Sequence, residues 1–241
     1  ASLGGYGEAL LIGNLVILCG IHICRLLKEK DTPRGQWFYM IALGLLTGLG
    51  IWANGLTLVY SAPVILVVLI CNLRSKDQRT KFIQPFICLT GGVFLGALPW
   101  WIYALQNGLS HLITELLGTA VNVAQTSLLQ QILNRLFNFV LLGLTAFWGI
   151  RPPWEIRWLA LPLIPFVLIF WGWALFASVK TIIQKAKTYP LYVILSGIVL
   201  TLFMGFIGTP FGNDPSGRYF LPLSVPFVLM AADAINNIIP K

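Results

Sequence analysis

The chain has 241 residues, of which 57% are apolar and 10% are charged, and its mean hydropathy is +0.82. Soluble domains are roughly 45–50% apolar and about 25% charged, so this balance excludes an ordinary soluble domain and predicts an integral membrane protein. The net charge of +8 does not indicate nucleic-acid binding, because the basic residues stand in short clusters between apolar runs and form no single patch.

The apolar runs favour helices over strands. They approach or exceed the roughly 17–25 residues that cross the hydrocarbon, and none alternates with period two as a barrel strand does. Because every backbone amide in lipid must be satisfied internally, we expect an all-α polytopic bundle of about 7–8 membrane segments, with one interfacial amphipathic segment. The length suits a single transmembrane domain, 1–241.

The basic clusters predict the topology. The positive-inside rule places them on the cytoplasmic side. The clusters are Arg25, Lys28, Lys30 and Arg34; Arg74, Lys76, Arg79 and Lys81; and Lys180, Lys185 and Lys187.

The basic clusters predict the direction in which each of the first three spans crosses the membrane. The opening "ASLGGYGE" has neither an initiator Met nor a basic segment, so we expect residues upstream of it. A first span at 8–27 leads inward, a second returns outward to a break at 53–55, and a third descends to residue 73. Tyr6, Glu8 and Asn54 are then expected at the external side.

Glycines at helical spacing predict close helix packing. Gly44, Gly48 and Gly50 lie on the second span, and Gly92 and Gly96 repeat the pattern on the fourth. Such small residues let two helix backbones approach each other in lipid.

The fourth span, at 82–103, ends in "ALPWWIYALQNG", which is typical of an aromatic belt at the outer membrane surface. Residues 106–131 contain no Lys or Arg and predict an external segment lying along the interface. The runs at 133–150 and 158–179 leave two arrangements open. Either one run is re-entrant, or the half-apolar segment at 111–131 itself crosses, because two crossings alone would place the third basic cluster outside.

Metal chemistry is not indicated. Cys19, His22 and Cys24 share a helix end, but their spacing does not gather three ligands on one face. We expect these cysteines, with Cys71 and Cys88, to be buried thiols without a chemical role.

Arg218 is the principal candidate for a binding residue. It stands with Asp214 and Tyr219 in "GNDPSGRYFLPL", an expected external turn that precedes the last span. Arginine is costly in hydrocarbon and its planar fork suits phosphate. The alternatives are an anchor that reaches to the interface or an ion pair with Asp214.

Several motifs resemble the GT-C superfamily of polytopic glycosyltransferases, in the bacterial branch related to protein O-mannosyltransferases and lipid A aminoarabinose transferases. The glycine-rich helix pair "GLLTGLGIWANGLTLVYSAPVILVVLI" resembles that of the family. "LGALPWWIYALQNG" is similar to its G-x-x-P-W-x-x-Y-x-x-x-N-G span end, and "GRYFLPLSVPFVLM" to its late R-Y-x-L-P-L motif.

This resemblance implies a transferase that moves a sugar from a polyprenyl-phosphate donor to an acceptor on the external membrane face. Arg218 and Tyr219 match the phosphate-facing pair, and Tyr6, Asp214 and Asn54 complete the candidate substrate-binding set. No cofactor or metal is implied; membrane lipid and the lipid-linked sugar are the expected partners.

The chain departs from the family at the catalytic base, which the family carries in its first external loop. The span that begins at Glu8 matches a later helix, so we expect the chain to be the C-terminal portion of a longer enzyme. Glu8 is the remaining acidic candidate, although a carboxylate at a helix start is also favoured by the helix dipole. Two other classes stay open: a transporter or lipid flippase, and a non-catalytic membrane assembly subunit.

Overall fold

The computed structural model of the chain describes residues 5–29, 33–74, 83–116, 127–150, 152, 161–185, 190–209 and 218–236. These residues form helices and no strand, so the predicted all-α fold class is confirmed for the described part. The chain divides into two compact units, 1–119 and 120–241. The expectation of a single domain stays a prediction.

The helices of the first unit are, in order, α1 (Tyr6–Glu29), α2 (Pro33–Ala53), a 3-10 turn (Gly55–Thr57), α3 (Leu58–Arg74), α4 (Ile83–Gly96), α5 (Leu98–Asn107) and α6 (Leu109–Leu116). Those of the second unit are α7 (Leu128–Phe137), a π-helical segment (Asn138–Leu144), α8 (Thr145–Phe147), a 3-10 turn (Leu161–Leu163), α9 (Ile164–Lys185), α10 (Pro190–Gly208), a 3-10 helix (Arg218–Leu223) and α11 (Ser224–Asn236).

The long apolar helices of the described part indicate an integral membrane protein. Six segments are long and apolar enough to cross a bilayer: Tyr6–Lys28, Gly35–Ala53, Gly55–Arg74, Leu161–Thr181, Pro190–Gly208 and Tyr219–Asn236. The pair α4 and α5, bent by 57°, gives a seventh if it is one span. The described part therefore has seven membrane segments, the lower end of the expected 7–8, when α4 and α5 are counted as one span, and six otherwise.

The run at 133–150 is helical but changes its winding. It leaves the α-helix after Phe137, continues as the π-helical segment, and returns to α-helix at Thr145. It is not among the six long apolar spans. The expected interfacial segment is described only at its two ends, in α6 and at the start of α7.

In the first unit, α2 and α4 cross through their glycines. A methyl group at Gly48 would lie 2.3 Å from the Val93 carbonyl oxygen, and one at Gly96 would lie 2.3 Å from the Leu45 carbonyl oxygen. Gly44 and Gly92 are in the same reciprocal contact. The predicted small-residue faces on the two spans are therefore confirmed, and backbone packs on backbone there.

Gly50 has a different neighbour. A methyl group at this position would meet the side chain of Thr57, 2.7 Å from its hydroxyl oxygen. Gly50 therefore packs on the 3-10 turn that follows α2, where the chain reverses at Asn54. The crossing of α2 and α4 is formed by the other four glycines, which are Gly44, Gly48, Gly92 and Gly96.

Helix α1 packs on α3 through small residues facing large ones. The Tyr60 ring lies over Gly13 and the Val64 side chain over Gly20, each too close for any larger residue on α1. Tyr60 and Val64 are fully buried. One turn of α3 separates them, so a single stripe of that helix fills the glycine positions of α1.

An aromatic core holds the second unit together. The rings of Phe139, Phe203, Phe206 and Phe220 contact one another, with centroids 4.8 to 5.6 Å apart. A second group joins Phe147, Trp171 and Phe227. Aromatic pairs at these separations contribute about 0.5–1.5 kcal/mol beyond the burial of their area. The first group connects the π-helical segment, α10 and the Arg218–Leu223 helix, and the second connects α8, α9 and α11.

Candidate functional site

The predicted site residues fall in both units. Tyr6, Glu8 and Asn54 belong to the first unit, whereas Arg218, Tyr219 and Asp214 belong to the second. Each group is therefore described within its own unit.

In the first unit, the start of α1 lies against the turn that follows α2. Gly5 adopts φ +67°, and a methyl group on it would lie 2.8 Å from the carbonyl oxygen of Ala53 and 3.7 Å from the Cβ of Asn54. Both the left-handed backbone and the close approach require glycine here. The structure thus brings Tyr6 and Glu8 to the same end of the unit as Asn54, which we call the Asn54 end.

Asn54 has a structural task in this turn. Its backbone is extended, and its side-chain oxygen accepts a hydrogen bond of 2.9 Å from the Leu56 amide. The Thr57 hydroxyl donates to the Asn54 carbonyl oxygen, also over 2.9 Å. Asparagine at an N-cap commonly satisfies a helix amide in this way. Its place among the substrate-binding residues stays a prediction.

Tyr6 and Glu8 occupy the first turn of α1. Glu8 is exposed and Tyr6 is half-buried. Residues two apart on an α-helix point in directions roughly 200° apart, because each residue turns by about 100°. The two side chains therefore do not converge on one point from α1 alone, although both lie at the Asn54 end.

The aromatic residues of α5 reach the same end. Trp100 donates its indole N–H to the Ile51 carbonyl oxygen over 3.2 Å, one turn before the break at Asn54. Its ring stands edge-on to Tyr103, with centroids 5.8 Å apart. Trp101 stacks on Phe94 and donates to its carbonyl oxygen. Tryptophans that combine apolar rings with bonded N–H groups are typical of membrane boundaries.

In the second unit, the Arg218–Leu223 helix is anchored by its third residue. Phe220 is 1% exposed and its ring lies on Gly143 of the π-helical segment. The same ring contacts Phe206, near the end of α10. Tyr219, one position earlier, is half-buried. The backbone at Arg218 and Tyr219 is therefore positioned by the aromatic core.

Arg218 and Asp214 differ in what the structure describes of them. Arg218 begins the 3-10 helix, but its side chain lies outside the described part, as does Asp214. Their expected pairing and their expected contact with phosphate stay predictions.

Arg135 is a further candidate residue, which the sequence did not indicate. It is only 6% exposed. One guanidinium nitrogen donates to the Ile207 carbonyl oxygen over 2.9 Å, and another donates to the Gln131 side chain over 3.2 Å. Its Nε has no hydrogen-bond partner among the described residues. Gln131 and Arg135 stand four apart in "LLQQILNR", a polar stripe on an otherwise apolar helix that was the available signal.

Arg135 and the Arg218–Leu223 helix meet the same part of α10. Ile207 is next to the last residue of α10, and its neighbour Phe206 carries the Phe220 ring. A buried cation beside the carbonyl end of a helix is electrostatically favoured. We call this part of the second unit the Arg135 end; it holds the buried Arg135 guanidinium at the end of α10 that also contacts the Arg218–Leu223 helix.

Within the described residues, no group of three or more His, Cys, Asp or Glu side chains is arranged to hold a metal ion. No protein-family model, curated protein or solved structure matches the chain. Any function must therefore be argued from the chemistry of the two ends and from the resemblance of the motifs.

Proposed function

We propose that the chain is a membrane glycosyltransferase of the GT-C type, or its C-terminal part, in the bacterial cytoplasmic membrane. It would transfer a sugar from a polyprenyl-phosphate donor to an acceptor on the external face. The observation that carries the proposal is the Arg135 end, where a buried guanidinium binds the last turn of α10 beside the helix that Arg218 begins.

The chemistry of the donor fits such an end. When the bond between the anomeric carbon and the phosphate oxygen breaks, the phosphate gains negative charge. Fixed positive groups in a water-poor site stabilise that charge more strongly than water does. Arg218 would bind the departing phosphate with its planar fork, and the Tyr219 hydroxyl would donate one further hydrogen bond. Arg135 would add long-range positive potential from its buried position.

The acceptor side requires a general base. In an inverting displacement, the acceptor hydroxyl attacks the anomeric carbon and loses its proton to the base, while polyprenyl phosphate leaves from the opposite face. Within the first unit, taken by itself, Glu8 is the acidic candidate for this role, because it is exposed at the Asn54 end.

The test compares Arg218→Ala and Arg218→Lys with wild type in membranes containing the full-length gene product. The probes are short-chain polyprenyl-phosphate mannose, glucose and aminoarabinose, and the readout is release of polyprenyl phosphate, which does not depend on knowing the acceptor. We expect Arg218→Ala to reduce release by at least about 100-fold, comparable to removing one strong donor to developing charge. Lysine should restore part of it, because it keeps the charge but not the fork.

Lys180→Ala is the matched control, since Lys180 is an exposed cation on α9. It should release polyprenyl phosphate at the wild-type rate. Undiminished release by Arg218→Ala would remove Arg218 from the site. Release from none of the three donors by the wild-type protein would overturn the transferase proposal for these sugars.

A further inference from the structure

Two cysteines of neighbouring helices meet at one end of the first unit. The Cys24 thiol of α1 and the Cys71 thiol of α3 are neighbours. Cys24 is 1% exposed, whereas Cys71 is half-buried, so small solutes can reach Cys71 first. The pair lies about one helical turn before the last residues of the apolar spans Tyr6–Lys28 and Gly55–Arg74. Both thiols therefore stand close to the membrane boundary.

The packing of α1 on α3 explains why these two thiols meet. The two helices run in the same direction, because two successive glycines of α1 contact two successive residues of α3 in the same order along the chain. The first of these contacts places the Tyr60 ring over Gly13. From Gly13 to Cys24, and likewise from Tyr60 to Cys71, the chain advances by eleven positions, which is about three helical turns. Each cysteine therefore lies on the face of its helix that contacts the other helix.

Two cations stand beside the pair. Lys28 follows Cys24 by four residues on α1, and Arg74 is in the last turn of α3, three residues after Cys71. These spacings place each cation on the same side of its helix as the thiol. Lys28 interacts electrostatically with both sulfur atoms, and Arg74 with that of Cys71. When a sulfur atom attacks a peroxide, negative charge develops on the departing oxygen, and fixed cations stabilise it.

A buried amide lies next to Cys71. Asn72 is 1% exposed and belongs to a buried stripe of α3 that also contains Tyr60, Val64 and Val68. Neither its amide oxygen nor its amide nitrogen has a hydrogen-bond partner among the described residues. A buried polar group without a partner costs about 1–3 kcal/mol. A thiol is only a weak donor, whereas the hydroxyl group of a sulfenic acid at Cys71 could both donate to this amide and accept from it.

We propose that Cys24 and Cys71 form a reversible disulfide between α1 and α3 in response to peroxide. The Cys71 thiolate attacks hydrogen peroxide, so that a sulfur–oxygen bond forms, the oxygen–oxygen bond breaks, and the departing hydroxide takes up a proton and leaves as water. The Cys24 sulfur then attacks the sulfenic acid sulfur of Cys71. A sulfur–sulfur bond forms, and the hydroxyl group leaves as water with the proton from Cys24. The two sulfur atoms lose two electrons in total, and the peroxide gains them.

The location of the pair fits a reversible modification. The first two basic clusters are expected on the cytoplasmic side, where glutathione and dithiol proteins reduce a disulfide by thiol–disulfide exchange. Disulfides in that compartment are usually transient and sense redox conditions. The proposal replaces, for this pair alone, the expectation that the cysteines have no chemical role. It does not depend on the proposed glycosyl transfer.

The experiment treats membranes containing the full-length protein with increasing hydrogen peroxide, blocks the remaining thiols with N-ethylmaleimide, and quantifies each cysteine by peptide mass spectrometry. We expect the Cys24–Cys71 disulfide to form at a peroxide concentration at least about 10-fold below that which oxidises Cys88. Cys88 is the matched control, because it is a half-buried cysteine like Cys71. Subsequent glutathione should restore both thiols.

Two variants separate the roles of the two thiols. In Cys24→Ser, peroxide should leave a sulfenic acid at Cys71 that dimedone labels, because the second thiol is absent. In Cys71→Ser, Cys24 should remain a thiol at the same peroxide concentration, because it is buried. If either variant fails to fold, the comparison with Cys88 in the wild-type protein still decides the proposal.

Three results would overturn the proposal. One is oxidation of Cys24 and Cys71 only at the peroxide concentration that oxidises Cys88. Another is oxidation of Cys71 in the wild type to a sulfinic acid, or to a disulfide with a different cysteine, without the Cys24–Cys71 bond. The third is a Cys24–Cys71 disulfide that glutathione does not reduce, because such a bond would be structural and not reversible.

Discussion

The tip of the Phe220 ring lies so close to Gly143 that a methyl group on the glycine would be 1.9 Å from the ring. Gly143 belongs to the π-helical segment Asn138–Leu144. Wide π-helical turns are uncommon and often accompany functional sites. In this segment, position 143 has to be glycine, because any side chain there would overlap the Phe220 ring. The placement of Arg218 and Tyr219 thus depends on a glycine about 75 residues earlier in the chain.

Gly143→Ala should destabilise the protein. The Phe220 ring has to move away, and overpacking of this kind costs about 1–3 kcal/mol. Gly205→Ala is the control, because a methyl group there meets no atom within 4 Å. Thermal unfolding in detergent, followed by tryptophan fluorescence, should show a lower midpoint for Gly143→Ala only. Equal midpoints for the two variants would contradict the contact.

The neighbouring glycines of α4 provide a second comparison. Gly92 faces the Ile41 carbonyl oxygen of α2, whereas a methyl group on Gly91 meets nothing within 4 Å. Gly92→Val should therefore separate α2 from α4 and lower the yield of folded protein in size-exclusion chromatography. Gly91→Val should elute as wild type, apart from a small effect of helix propensity. A folded Gly92→Val with the wild-type midpoint would exclude the close crossing.

The sequence predicted these glycine faces because helical spacing alone places residues four apart on one side. It did not predict that Gly50 packs against the Thr57 side chain, since that contact depends on how the chain reverses at Asn54. The burial of Arg135 could not be predicted from the sequence for a related reason. A lone arginine between apolar runs looks like a topology signal, and its burial is created by the end of α10, more than 70 positions away. The approach of Gly5 to Ala53 likewise depends on tertiary structure.

Native cysteines report on the packing of α1 against α3. The Cys24 thiol of α1 and the Cys71 thiol of α3 are neighbours, whereas the Cys19 thiol donates to the Tyr39 carbonyl oxygen. Treatment of membranes with copper-phenanthroline, followed by peptide mass spectrometry, should yield a Cys24–Cys71 disulfide in preference to other pairs. The variant Cys71→Ser should lose this product. Predominant cross-linking of Cys24 to Cys19 or Cys88 would mean that α1 and α3 are packed differently.

Topology is the premise of the proposed external chemistry. Fusion of alkaline phosphatase after Thr209, at the end of α10, should give an active enzyme, because that enzyme folds outside the cytoplasm. Fusion of green fluorescent protein after Lys187 should be fluorescent, since the third basic cluster is expected inside. The reverse pattern would place the Arg135 end in the cytoplasm and remove the basis for transfer on the external face.

Substitutions at Arg135 and its neighbours on α7 should lower the unfolding midpoint by graded amounts. Hydrogen bonds to charged groups contribute about 1.5–3 kcal/mol each, so Arg135→Ala, which loses the bonds to Ile207 and Gln131, should lower the unfolding midpoint most. Arg135→Lys should recover part of the loss, because an ammonium group keeps the favourable charge at the carbonyl end of α10 but lacks the planar fork. Gln131→Ala removes one bond, and Asn134→Ala, at an exposed neighbouring position, should have little effect. If Arg135→Ala unfolds at the same temperature as Asn134→Ala, the guanidinium does not hold α7 to the end of α10, and the positive potential attributed to that end is lost with it.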